Sequence, residues 1–209
     1  MMIAADGECG LIWPGPRVIL LTMADEADGQ DQATGVGKRV RFVELSSAAM
    51  TALLDGSLAQ ASREAGVALT PYFVTGDALR LWRRRVSQIA ADPGSARWVA
   101  RAVVAEPEGV VVGHAGFHGP PDESGMVEVA YSVDPAYRRR GYARAMLGAL
   151  LRRAAAEPGV STVRATISPV NVASLATIAG FGFTEVGEQW DEEDGRELIF
   201  EVAVPASPR

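Results

Sequence analysis

A single cysteine, Cys9, stands in 209 residues, so the chain forms no internal disulfide and offers no thiolate cluster to a metal. Lysine is equally scarce: Lys38 is the only one, and arginine carries the rest of the positive charge. A basic surplus is missing too. The net charge is −6, whereas general binders of nucleic acid or membrane surfaces carry a positive excess, so neither partner is expected. The apolar run near the start is broken by Pro14, Gly15, Pro16 and Arg17, and acidic residues stand where an export signal needs basic ones. Neither export nor a membrane anchor is expected from it, and the chain reads as cytoplasmic. Residues 1–37 are expected to be a poorly ordered extension, with Met23 a second candidate start, and residues 38–205 the folded domain.

What is present fits an ordinary folded core: 48% of residues are apolar and 22% charged. From Arg39, "RVRFVEL" alternates as a strand, and "SSAAMTALLDG" follows with a serine cap and helical spacing. The stretch from Asp77 to the stop at Pro93–Gly94 places Leu79, Trp82, Val86 and Ile89 on one helical face. "RWVARAVVAE" and "GVVVGHAGFHG" read as strands joined at "PEG", and "MVEVAYSVDP" as a further strand ending at Pro135. Then the pattern changes to strand–helix–strand: a helix over 141–156, the strand "VSTVRATIS" and the short helix of "NVASLATIAGFGF". "TEVGEQW" and "GRELIFEVAV" flank "DEEDG" as an antiparallel hairpin. The fold class is α+β.

One stretch stands out against the acidic background. "YRRRGYARAM", residues 137–146, sets three arginines before a glycine at the start of a helix. First-turn amides have no intrahelical acceptor and the helix dipole adds positive potential there. A glycine lets backbone approach a ligand closely, and arginines reinforce the binding of phosphates. Residues 138–143 therefore read as a pyrophosphate cradle; the competing reading is a solvated arginine run.

The order of motifs resembles the GNAT superfamily of acyl-CoA-dependent N-acetyltransferases. Its signature Q/R-x-x-G-x-G/A falls on Arg138, Arg139, Arg140, Gly141, Tyr142 and Ala143. Its later N-x-x-S falls on Asn171 and Ser174, followed by Gly182 and Phe183. "VEVAYSVDP" is similar to the strand preceding the signature in the branch that acetylates ribosomal-protein N-termini, and the resemblance spans roughly residues 39–203. It implies a mixed, mostly antiparallel sheet splayed at an acyl-CoA cleft and flanked by helices. It also implies acetyl-CoA as cosubstrate, with its pantetheine arm along the backbone of Tyr131, Ser132 and Val133 and its pyrophosphate on residues 138–143. Asn171 and Ser174 resemble contacts to the far side of the arm and to the sulfur; read locally, they equally cap and line a helix. The partner implied is an amine acceptor, either a protein N-terminus or a small molecule. A homodimer is compatible with the family.

Acyl transfer to an amine needs a base, an oxyanion donor and a stabilised leaving thiolate. Glu128 is the candidate base, sharing a strand face with Ala130 and Ser132; an exposed strand-edge carboxylate is the plainer alternative. The oxyanion donor is expected at the amide of Val129 or Ala130. Many family members carry an acidic tyrosine seven residues after the asparagine; here Ile178 stands there, and Ser174 inherits the role. The same departure leaves open a non-catalytic acyl-CoA-binding sensor. His114 and His118 share a strand face without a third ligand, so no metal site is expected. "WDEEDG", residues 190–195, reads either as a solvated turn or as an attractor for a cationic acceptor, and Trp82 and Trp98 read as core.

Overall fold

A computed structural model describes residues 37–99, 101–192 and 195–205. The expected extension up to residue 36, Cys9 and two positions of the acidic turn, 193 and 194, lie outside the described residues. The strands are β1 (Arg39–Glu44), β2 (Arg101–Glu106), β3 (Val111–Phe117), β4 (Met126–Val133), β5 (Thr162–Ile167), β6 (Thr184–Asp191) and β7 (Gly195–Ala203). The helices are α1 (Ser47–Leu54), α2 (Leu58–Ala65), α3 (Gly76–Ala91), α4 (Tyr142–Ala156) and α5 (Val172–Ile178). One sheet holds all seven strands in the order β1-β2-β3-β4-β5-β7-β6, antiparallel except for the parallel pair β4–β5.

Strand alternation sends successive side chains to two separate cores. On one face Val103, Ala105, Val112, Phe117, Val127 and Val129 pack against Met146, Leu147 and Leu150 of α4 and Ile178 of α5. On the other, Ala102, Val104 and Val111 meet Met50 and Leu53 of α1 and Trp82 of α3. Trp82 is fully buried, with its indole N–H donating to the Phe73 carbonyl at 2.8 Å, and Trp98 lies in the opposite core.

Two elements depart from the reading of the sequence. Helix α2 was not expected: its apolar stripe is short and mostly alanine, Leu58, Ala61 and Ala65, with only Ala61 fully buried, and Gly66 ends it at φ 66°. The apolar face of α3 is rotated as well. Ala78, Trp82 and Arg85 form its buried line, with Leu79, Val86 and Ile89 at the margins. Arginine takes a core position because its guanidinium donates to the His118 carbonyl at 2.8 Å and to Gln88 Oε1 at 2.7 Å.

His114 lies in this second core, stacked on Tyr72 with ring centroids 5.8 Å apart and edge-on to Phe73 and Trp82. Burial, helped by the Arg85 charge, pushes its pKa down to about 4. The unfolded chain takes up this proton near the ordinary histidine value while the folded protein does not, so acid favours unfolding. Stability should fall by about 2 kcal/mol between pH 7.5 and pH 5 from this group. Denaturant titrations at the two pH values check it: a His114→Asn variant should show a flatter dependence, and an identical slope would refute the assignment.

The gap that matters for function comes from register. Pairing between β4 and β5 runs only from Met126↔Thr162 to Glu128↔Arg164. Beyond it β4 stays with β3 as far as Gly113↔Val133, while β5 stays with β7 as far as Ile167↔Leu198. The two halves of the sheet therefore diverge, opening a wedge between Tyr131–Val133 and the end of β5.

Candidate active site

The wedge widens into a cleft of about 740 Å³. It is lined by Tyr131, Ser132 and Val133 from β4, by Arg138, Arg139, Gly141, Ala143 and Arg144 around the start of α4, and by Asn171, Ala173, Ser174, Ala176 and Thr177 from α5. They come from two stretches of the chain, 131–144 and 171–177, which the β4–turn–α4 and β5–α5 units bring together because both connections leave the sheet at its open end.

The turn before α4 is shaped for an anion. Arg139 adopts φ 57°, uncommon for a residue with a β-carbon, and Gly141 follows at φ 83° as the helix cap. Alternation of this kind turns successive N–H groups toward one point. Among the described residues no acceptor takes the backbone N–H of Arg139 through Arg144, and no side chain caps the helix. Arg138 reaches back to the Val133 carbonyl, Nε to O 3.2 Å. Arg144 lies over the Phe181 ring at 4.7 Å and beside Gly180, where a β-carbon would collide with its guanidinium at 2.5 Å.

Two of the residues named from the signature point elsewhere. Arg140 is absent from the cleft lining and lies over the Tyr137 ring at 5.5 Å. The Tyr142 side chain is buried against Tyr137, with Lys38 Nζ 5.3 Å from its ring centroid, so only its amide is offered to the turn.

Backbone alternation in β4 sorts what a ligand strand could reach. His118 N–H bonds to the Glu128 carbonyl and Asp134 N–H to that of Val112, so the even-numbered residues of β4 spend their backbone groups on β3. Ser132 lines the cleft while its backbone groups pair with His114 of β3, and the Ala130 backbone pairs likewise with Gly116. Thr162 N–H bonds to the Gly125 carbonyl, which puts the odd-numbered residues on the β5 side. Past Glu128↔Arg164, Tyr131 has no strand partner on that side, and the Val133 carbonyl is held by Arg138.

Side chains follow the opposite rule. Ser132 and Glu128 face α3 and the 3₁₀ turn Pro71–Val74: the Ser132 and Tyr72 hydroxyls share a hydrogen bond of 2.5 Å. Glu128 Oε2 lies 3.9 Å from His118 Nδ1, with Arg85 the next charge. Burial lowers the His118 pKa, and the Glu128 carboxylate opposes that shift. Tyr131 points the other way, under α5. Asn171 Oδ1 accepts from the Ser174 N–H at 3.1 Å and so caps α5, which leaves its NH₂ end for a ligand.

A family model for the acetyltransferase (GNAT) domain matches residues 42–184. This chain belongs to the GNAT acetyltransferases. It is 35% identical over 104 residues to an L-2,4-diaminobutyric acid acetyltransferase of Streptomyces coelicolor, covering 49% of this chain and 58% of that protein. Across the curated relatives the match spans 44% to 58% of their own length. In fold, the chain resembles the ribosomal-protein-S5-alanine acetyltransferase of Vibrio fischeri, with TM-score 0.53 and 17% identity over 78% of this chain and 91% of that one. It also resembles the microcin C7 self-immunity acetyltransferase MccE in complex with acetyl-CoA and AMP, with TM-score 0.54 and 11% identity over 79% and 93%.

In this GNAT domain the residues present fit an acyl-CoA. Unpartnered amides and Arg138, Arg139 and Arg144 match a pyrophosphate, while the free backbone edge at Tyr131 matches an amide-bearing arm. Arg144, Ala173, Ala176 and Thr177 were missed from the sequence. Arg144 follows Gly141 and Thr177 follows Ser174 by three residues, and helical neighbours at that spacing share a face. Ile178, where the family tyrosine often stands, is buried in the core. Trp190 is exposed on β6, away from both cores. Among the described residues no three potential ligands cluster as a metal site, and no helix is long and apolar enough to cross a membrane.

Proposed function

We propose that this protein is an acetyl-CoA-dependent N-acetyltransferase acting on a primary amine by direct attack in a ternary complex. The observation that supports it most is the wedge itself. It joins an anion-binding turn and a free strand edge on one side to a carboxylate, Glu128, that faces the other.

Arg138, Arg139, Arg144 and the amides of residues 139–144 would hold the diphosphate, and the backbone of Tyr131 and the NH₂ end of Asn171 would orient the arm. The acyl donor supplies an activated thioester. The amine arrives from the α1–α3 side, where Glu128, directly or through water, takes its proton. The Glu128↔Arg164 pairing occupies the Val129 amide, so the strand donor for the developing oxyanion would be the Tyr131 N–H, the first on that side past the end of the β4–β5 ladder. The acceptor is a protein N-terminus or a small-molecule amine, and the relatives named above point to both kinds.

Thiol release from acetyl-CoA, measured with a panel of L-2,4-diaminobutyrate, spermidine and an alanine-initiated peptide, tests the reading. Amine-dependent release establishes it and ranks the acceptor classes. Acetyl-CoA binding without release by any amine would instead favour a binding module, and no binding would remove the reading altogether.

A further inference from the structure

Two buried hydroxyls among the described residues have no hydrogen-bond partner, and both lie on the strands bordering the wedge: Tyr131 on β4 and Thr166 on β5. Thr166 shares the Glu128 side, because Arg164 two residues earlier pairs with Glu128. Tyr131 lies on the cleft side, where its ring lines the cavity while its Oη is shut off from water. Leaving a buried phenol unpartnered is unfavourable, so a hydroxyl kept in such a place calls for an explanation.

The groups beside Oη are the hydroxyls of Ser174 and Thr177, close enough to act on its titration yet outside hydrogen-bonding geometry. Their protons differ in availability. Thr177 donates to the Ala173 carbonyl at 2.8 Å, the usual back-bond of a hydroxyl in a helix. Ser174 makes no such bond; only its backbone N–H is engaged, by Asn171. Ser174 therefore has a free proton and free lone pairs, and it lines the cleft as Tyr131 Oη does not. Burial raises the Tyr131 pKa, so the phenol keeps its proton at neutral pH and is a donor.

We propose that Tyr131 is a positioning residue for Ser174: its phenol donates to Ser174 Oγ and turns the serine proton toward the sulfur of the acyl donor. This rests on the reading of the cleft as the acyl-CoA site. In the step, the lone pair of the amine forms the C–N bond and the nitrogen's proton passes to Glu128 or to water. The C–S bond breaks, and its electron pair stays on sulfur as a thiolate. The thiolate accepts the hydrogen bond from Ser174 Oγ–H, while the phenol steadies that hydroxyl. Neither hydroxyl is consumed, and the relay stands in for the acid absent at Ile178.

The test compares Tyr131→Phe, Ser174→Ala and the double variant for acetyl-CoA Kd, kcat with the best acceptor and Tm. Tyr131→Phe should lower kcat about tenfold, the worth of one hydrogen bond in the transition state, with Kd held within about twofold. Its Tm should not fall, because the hydroxyl removed had no partner in the ligand-free protein. The double variant should be no slower than Ser174→Ala alone, since the phenol acts through the serine. An unchanged kcat in Tyr131→Phe, independent multiplicative losses, or a loss of kcat that tracks a lower Tm would each overturn the relay. If wild type fails to bind acetyl-CoA, the enzyme reading falls together with it; if wild type binds and turns over while Tyr131→Phe matches it, the relay falls alone.

Discussion

Gly141→Asp should raise the acetyl-CoA Kd about a hundredfold with only a small fall in Tm, the same as in Gly141→Asn. The position caps α4 at φ 83° and stands in the middle of six backbone amides without acceptors. A ligand diphosphate there takes up charge-assisted hydrogen bonds of roughly 1.5–3 kcal/mol each, and a carboxylate in its place both repels it and occupies the amides. Loss of about 3 kcal/mol is a hundredfold in Kd. The fold should tolerate the change. Aspartate and asparagine enter the left-handed region more readily than most residues, so each should cost only about 1 kcal/mol of strain at this position. The built β-carbon meets nothing nearer than Lys38 Cγ at 3.9 Å. Gly141→Asn is the matched control: similar shape and backbone tolerance, no charge, and an expected loss of only a few-fold. Calorimetric titration of both variants reads the result. Equal and near-wild-type affinities would mean that no phosphate sits at this turn.

That turn was also the most legible part of the site. The charge pattern Arg138–Arg140 before Gly141 marks a helix entrance, where helix physics favours an anion over a solvated arginine run. What one-dimensional reading does not carry is which arginine faces in. Arg139 at φ 57° reverses the local path, and Arg140 comes to rest on Tyr137 while Arg144, one helical turn further on, joins the cleft. The strands were readable from alternation because the two faces of the sheet pack on separate cores. Helix α2 was not, since it lies on α1 through a stripe of only Leu58, Ala61 and Ala65, too short and too rich in alanine to stand out from a loop. Long-range pairings were invisible for the same reason: Tyr72 meets Ser132 across 60 residues, and Arg85 fills a core position through the His118 carbonyl. The splay of the sheet was expected only from the family resemblance. No local pattern announces that β4–β5 pairing stops at Glu128, because that follows from what β3 and β7 each claim.

Glu128→Gln should lower kcat between a hundredfold and a thousandfold, roughly the span of general base catalysis, with acetyl-CoA affinity retained. Glu128 is outside the cleft lining and faces α3, so the substitution leaves every group proposed to hold the acyl donor in place. It is also the last residue of the β4–β5 ladder, and the sheet opens immediately beyond it. A side chain there sits where the two faces first communicate, with 23% of its surface exposed and His118 as its neighbour at 3.9 Å. Glutamine keeps the shape and the strand register and removes the basic oxygen. The measurement is a pH–rate profile for both forms with a fixed acceptor. Where Glu128 takes the amine proton, the variant should recover rate as pH rises toward the acceptor's own pKa, since a pre-deprotonated amine needs no base. A constant ratio of rates across the pH range would argue that Glu128 binds or orients the acceptor, and a matching rise in acceptor KM would place it there. Equal rates at all pH would remove it from the reaction. Should thiol release persist at low rate in the variant while acetyl-CoA binds as before, the division of labour is the one that the splayed sheet suggests. One face holds the donor, the other prepares the nucleophile, and the chemistry is confined to the few ångströms where β4 and β5 part.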